Sequence, residues 1–246
     1  MIFFKYILLL YIITNNLAAK EKVIAEFFDN KIKIDVGFTG AKLSFFGAID
    51  VPGDVVVAIT GPRKNIKVRK KEKKIGFWIN SESENFFDVP SFYYVASNKP
   101  LDDLDASKAF FINQIGFKNI RFAGGEDREK NERDIWKNGI IESMVKLGRY
   151  NLREENIKLS DEKLFKTEFN FSSDILEGEY IVDTLLLKSG NVLGVKRSFI
   201  NVSKSGLGQK IHFMANSHSL SYGLIAVLFA VLFGFLSNII IRKVNE

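Results

Sequence analysis

Apolar and polar positions alternate in short runs over the first hundred residues, change period, and then alternate again. In "KIKIDVG", Ile32, Ile34 and Val36 fall on one face with the charged residues between them, the period of a half-buried strand. "DVVVAITGP" is instead a continuous apolar run, opening after Pro52-Gly53 and closed by Gly61-Pro62, which are turn formers. "KIGFWIN" and "FYYVAS" add runs rich in aromatic and β-branched residues. Together they predict short strands from Val23 to about Ser97.

From about Leu101 to Leu152 the period becomes helical. "REKNERDIWKNGIIESMVKLGRY" places Ile135, Trp136, Ile140, Met144 and Leu147 on one stripe, with Gly148 at the C-terminus. "ASKAFFINQIGF" predicts a shorter helix packing Phe110, Phe111 and Ile115, and "LDDLDAS" before it reads as an exposed helix start capped by Asp102 or Asp103. Strands return at Leu164. "FKTEFNFS" alternates through Phe165, Phe169 and Phe171, and "GEYIVDTLLLKSGNVLGVKRSFINVSK" predicts a hairpin around Ser189-Gly190-Asn191. The expected fold is mainly β (α+β): immunoglobulin-like antiparallel β-sandwich segments at 20–100 and 158–204, with a helical insert at 101–157. No internal repeat is evident.

A polar juxtamembrane stretch, 205–219, leads to "LSYGLIAVLFAVLFGFLSNIII", which carries no charge from Leu220 to Ile241. As a helix it covers about 30 Å, the hydrocarbon thickness of a bilayer. Tyr222 suits one interface and Arg242-Lys243 the cytoplasmic one, so residues 242–246 should face inward and the bulk of the chain outward. The start agrees: "MIFFKYILLLYIITNNLAAK" has a basic residue, an apolar run and small residues at Ala18-Ala19, a secretory signal over 1–19. Cleavage after Ala19 is the expectation, and an uncleaved anchor is the alternative. Within the spanning helix Gly223, Ala226, Ala230, Gly234 and Ser237 share one face, which would let a second helix approach closely. That helix could belong to another membrane protein or to a second copy. Chance alignment of residues common in spanning helices is the plain alternative.

Charge changes the picture in one place. Lys and Arg number 35 against 29 acids, and "RKNIKVRKKEKK" is the main source of the excess. Ile66 and Val68 alternate within it, which predicts an exposed hairpin. Arg63, Lys64, Lys67, Arg69, Lys70, Lys71, Lys73 and Lys74 form either a charged edge that discourages sheet aggregation or a patch for anionic headgroups or an acidic partner. Export removes nucleic acid as a partner. The absence of cysteine excludes disulfides, thiolate nucleophiles and Cys-based zinc sites. His212, Met214 and His218 offer copper-type ligands without enough companions to close a site, so no metal or other cofactor is expected. "AGGEDREK" lacks the context of a nucleotide-cyclising site, and Ser91 in "VPSFYY" suits a strand entry better than a nucleophile elbow. No catalytic residues can be assigned.

"GFTGAKLSFFGAID", "PGDVVVAITGP", "VPSFYYVASNKPL" and "LFKTEFNFSSDILEGEYIVDTLLL", in this order and followed by the apolar helix, resemble the alphaproteobacterial transmembrane protein family (Alph_Pro_TM-like). The resemblance implies the inner (cytoplasmic) membrane as address, a body in the periplasm, and a permease of the sulfite-exporter type as partner class. It implies no catalytic or cofactor residues. One departure stands out: Ser172 and Ile175 replace prolines of the family pattern, which implies a looser turn before Gly178. The expectation is a membrane-anchored interaction or accessory protein. An exported ligand-binding β-domain is the alternative, and an exported enzyme is a second one, disfavoured by the residues present.

Overall fold

The computed structural model describes residues 21–74, 76–126, 128–151, 155–206, 211 and 214–244. The signal-like segment 1–19 and His212 lie outside them. In chain order the first strands are β1 (Val23–Phe27), β2 (Lys31–Ile34), β3 (Ala41–Ile49), β4 (Asp54–Thr60), β5 (Arg63–Lys74), β6 (Phe77–Pro90) and β7 (Tyr93–Ser97). Helices α1 (Ser107–Asn113) and α2 (Lys130–Lys146) follow. Then come β8 (Glu155–Asn156), β9 (Lys158–Ser160), β10 (Leu164–Phe171), β11 (Gly178–Lys188), β12 (Asn191–Lys204) and helix α3 (Ser219–Val244).

The alternating segments build a four-stranded antiparallel sheet in the order β1-β3-β10-β9. Phe165, Thr167, Phe169 and Phe171 of β10 are buried while Lys166 and Asn170 look away, so one face alone is covered. The continuous apolar runs behave differently. β4 and β11 sit centrally in a six-stranded sheet, order β2-β12-β11-β4-β7-β8. Val55, Val57, Ile59, Tyr180, Val182 and Leu186 pack toward the four-stranded sheet, with Phe45 and Phe169 opposite. Val56, Ala58, Leu185 and Leu187 pack on the other face, under the helices. Consecutive residues are apolar because consecutive residues enter different cores. Two pairings depart from the antiparallel expectation: β2–β12 and β7–β8 are parallel.

The helical layer buries Phe110, Ile115, Trp136, Ile140, Ile141 and Met144. Three predicted core residues are exposed instead. Ile135 lies at the rim of a buried face centred on Trp136, Ile140 and Met144; Leu147 is the C-cap residue, where helical periodicity stops; Phe111 lies outward beneath the Arg121 guanidinium, 5.4 Å from its ring. Gly148 ends α2 as expected, at φ +67, its N–H donating to Val145 O (2.9 Å) while the Arg149 N–H donates to Met144 O (2.9 Å). Asp102 and Asp103 cap nothing: they lie inside a 3-10 turn, Leu101–Asp103, and α1 starts after Ala106 without a side-chain cap. Val36 is fully exposed, because β2 ends at Ile34 and the Asp35 carboxylate takes the Gly37 N–H (2.9 Å) to turn the chain.

The β11–β12 hairpin closes where expected. Lys188 pairs with Asn191, leaving Ser189 (φ +49) and Gly190 (φ +76) as a two-residue turn of the type that matches strand twist. Without prolines, the turn before Gly178 is held by side chains. Ser172 Oγ donates to Asp174 Oδ1 (2.7 Å), Arg149 Nε donates to Asp174 Oδ2 (2.9 Å), and Ile175 is buried. "KIGFWIN" is not one strand, since the chain reverses at Gly76 (φ +82) between β5 and β6. The basic segment is accordingly one arm of a long hairpin rather than a hairpin by itself.

Candidate functional site

The β5–β6 hairpin is anchored at its base and free at its tip. Ile66, Val68, Phe86 and Val89 join the core of the helical layer. Arg128 clamps the inner face, its Nε donating to Glu84 Oε2 and Nη1 to Glu82 Oε2, both at 3.0 Å, with its guanidinium 5.2 Å above the Trp136 ring. Beside it the "AGGEDREK" segment serves as a latch. Ala123 and Phe87 exchange backbone hydrogen bonds (2.8 and 3.1 Å), and Gly124 at φ +130 lies so close that a Cβ would sit 2.5 Å from Asn85 O. The Glu126 carboxylate accepts the Gly124 N–H at 2.8 Å, a bond that lowers its pKa. Tyr150 O–H donates to Pro90 O (2.7 Å) beneath the base, and burial pushes its phenol well above the ordinary value.

Beyond this base the two faces differ in charge. Ile66, Val68, Lys70 and Glu72 alternate on the inner face, opposite Phe86, Glu84, Glu82 and Ile79. Lys67, Arg69, Lys71 and Lys73 alternate on the outer face, opposite Asn85, Ser83, Asn80 and Trp78. The extra residue Ser81 in β6, whose hydroxyl meets Lys70 O at 3.3 Å, shifts the register between Lys70 and Lys71. Every acidic residue of the hairpin arm opposite Val68 to Lys73 therefore lies inward, and the outer face carries cations without acids.

The other predicted patch residues separate from this stripe. Arg63 is committed to structure: Nη1 donates to Asp88 O (2.7 Å) and Arg121 O (3.0 Å), and Nη2 to Gln114 Oε1 (3.1 Å). Lys70 pairs with Glu72 at 3.3 Å on the inner face, and Lys64 is exposed at the base. The Lys74 side chain lies outside the described residues. Phe77 and Trp78 are 75% and 69% exposed at the tip, although strand patterning suggests only another apolar run there; "GFW" directly after the basic run is their one signal in the sequence.

Helix α3 is 26 residues long, about 39 Å at 1.5 Å per residue. Nothing in its apolar stretch Ser219–Ser237 is buried against the rest of the chain. Gly223, Ala226, Ala230, Gly234 and Ser237 lie on this open helix, and a Cβ added at Gly223 or Gly234 would meet nothing within 4 Å. The helix continues past the apolar stretch to Val244, through Arg242 and Lys243.

Two clefts are less suited to chemistry. One of about 650 Å³ lies along α2, where burial lowers the Lys137 pKa and its Nζ donates to Lys118 O (3.2 Å). Another of about 190 Å³ contains Arg63, Asp183 and Arg197, whose charges are already engaged: Asp183 takes Arg197 Nε (2.7 Å) and Nη2 (2.9 Å). Ser91 is buried at the entry to β7. Among the described residues no group of three or more His, Cys, Asp or Glu is arranged to hold a metal.

These features define a class: a mainly β protein with one helix, among the described residues, long and apolar enough to cross a bilayer. The chain belongs to the family described as Putative transmembrane protein (Alph_Pro_TM), whose model matches residues 22–243. A search of curated proteins finds no match.

Proposed function

We propose that this is a single-pass inner-membrane protein whose body faces the periplasm and acts as a non-enzymatic interaction or accessory module for a membrane partner. The carrying observation is the open face of α3, which no part of the folded body covers. In lipid such a face gains packing and close backbone approach only from another helix. The Arg242-Lys243 pair beyond the apolar stretch favours an inward C-terminal end, and the signal-like segment favours an exported body. A permease of the sulfite-exporter type is the first partner class to test, and a second copy of the chain is the other.

The body itself we read as an immunoglobulin-type module. Two supports are the parallel pairing of β2 with β12 at the sheet edge and Tyr180 near the start of β11, whose O–H donates to Leu176 O (2.8 Å) four residues upstream.

The chain has no cysteine, so Ala230→Cys or Gly234→Cys supplies its only thiol. Cross-linking in native membranes is expected from these positions and not from Leu228→Cys on the opposite face. Leucine at Gly223, Ala226, Ala230 and Gly234 together should abolish the cross-linked complex while leaving membrane insertion intact. Recovery of the same complex from the leucine variant would reject the reading.

A further inference from the structure

The outer face of the β5–β6 hairpin combines features that no packing role within the fold explains. Lys67, Arg69, Lys71 and Lys73 are all exposed and follow every second residue, about 6.8 Å apart along the strand. The facing residues Asn85, Ser83 and Asn80 are uncharged, and the row ends at Trp78, opposite Lys73. The acids that could neutralise the row lie on the inner face, where Arg128 holds Glu82 and Glu84 and Lys70 meets Glu72. Phe77 and Trp78 project at the tip with no core to enter.

From this geometry we infer that the outer face of the β5–β6 hairpin docks on the anionic lipid headgroups of a bilayer, with Trp78 seated in the interfacial layer. A bare edge charge against aggregation would need lysines alone; it would not need an exposed tryptophan at the end of the row. Indole has an apolar body and one N–H, the combination that favours the headgroup boundary. A row of cations complements an anionic leaflet, each charge adding to the attraction near its surface. The membrane is also at hand. The fifteen positions from Lys204 to Ser219 span at most about 50 Å even when extended, so α3 keeps the body close to the surface it would contact. This contact needs no protein partner, and the small-residue face of α3 plays no part in it.

The test uses full-length protein reconstituted through α3 into vesicles of brominated phosphatidylcholine, with or without phosphatidylglycerol. The chain has two tryptophans, and Trp136 is buried, so the difference between wild type and Trp78→Phe isolates Trp78. Trp78 fluorescence is expected to be quenched when phosphatidylglycerol is present, and much less in its absence or at high salt. The variant K67Q/R69Q/K71Q/K73Q should lose the quenching, and single changes should weaken the headgroup interaction by roughly fivefold each. Unchanged circular dichroism and melting of the quadruple variant would show that the fold is intact. Equal quenching with and without phosphatidylglycerol, quenching retained by the quadruple variant, or Trp78 shielding that depends on protein density instead of lipid charge would each overturn the proposal. The last outcome would indicate contact between copies.

Discussion

At the residue scale, Tyr180 shows how one side chain can serve packing and polarity together. Its ring is fully buried, edge-on to Phe92 at 5.6 Å and Phe171 at 6.0 Å, while its hydroxyl reaches Leu176 O at the corner before β11. Burial penalises the phenolate, and the phenol is pushed up to about 12. An unfolded tyrosine ionises near 10, so above that pH the unfolded chain releases a proton that the folded chain retains. The stability tied to this difference is therefore fully present below about pH 10 and is lost as pH rises toward about 12. Tyr180→Phe should cost about 1 kcal/mol at neutral pH through the lost hydrogen bond and should flatten the alkaline decline. Tyr150, raised in the same direction, would maintain part of it. Urea melts at neutral pH and across the alkaline window measure both effects. Identical alkaline slopes in the two proteins would assign the decline to other groups.

At the element scale, strand identity was largely legible and placement was not. Phe165, Phe169 and Phe171 alternate and are buried together, because solvent lies on the other side of β10. The run "VVVAI" announces a strand, but its periodicity cannot say that Val55 and Val56 enter different cores. The periods that point Val36, Phe111, Ile135 and Leu147 inward extend past the place where a turn, a rim or a cap stops them, and all four are exposed. The alternating cations of β5 could be read from the sequence, whereas the inward segregation of the acids depends on cross-strand register and the extra residue at Ser81. Arg128, 44 residues beyond Glu84, carried no local signal at all. The latch it belongs to can be tested at Gly124. Gly124→Ala forces a Cβ against Asn85 O and a positive φ on an L-residue, and should cost about 1–3 kcal/mol. Amide exchange should accelerate in β5 and β6 more than in β11, which the latch does not touch. Equal acceleration in both would mean that the latch serves the whole body and not the hairpin.

At the scale of the molecule, one sheet is common to two cores. β4 and β11 supply Val57 and Leu186 to the inter-sheet core and Val56 and Leu185 to the core under the helices. Loosening either core therefore exposes one face of the same strands, and the helical layer cannot remain docked once their backbone pairing fails. With no disulfide to hold either layer, cooperativity has to come from this sharing. Phe169 provides the test, because it is fully buried between the sheets, 6.2 Å from Phe45, while Trp136 lies in the other core. Phe169→Ala should cost about 3–5 kcal/mol. In detergent, where α3 stays helical, and in a Trp78→Phe background that leaves Trp136 as the one tryptophan, the fluorescence midpoint in urea should fall together with the midpoint of the strand signal in circular dichroism. A Trp136 transition that stayed in place while the strand transition moved would show that the helical layer folds on its own. In that case the six-stranded sheet would be a boundary between two independent units, and not the element that joins them.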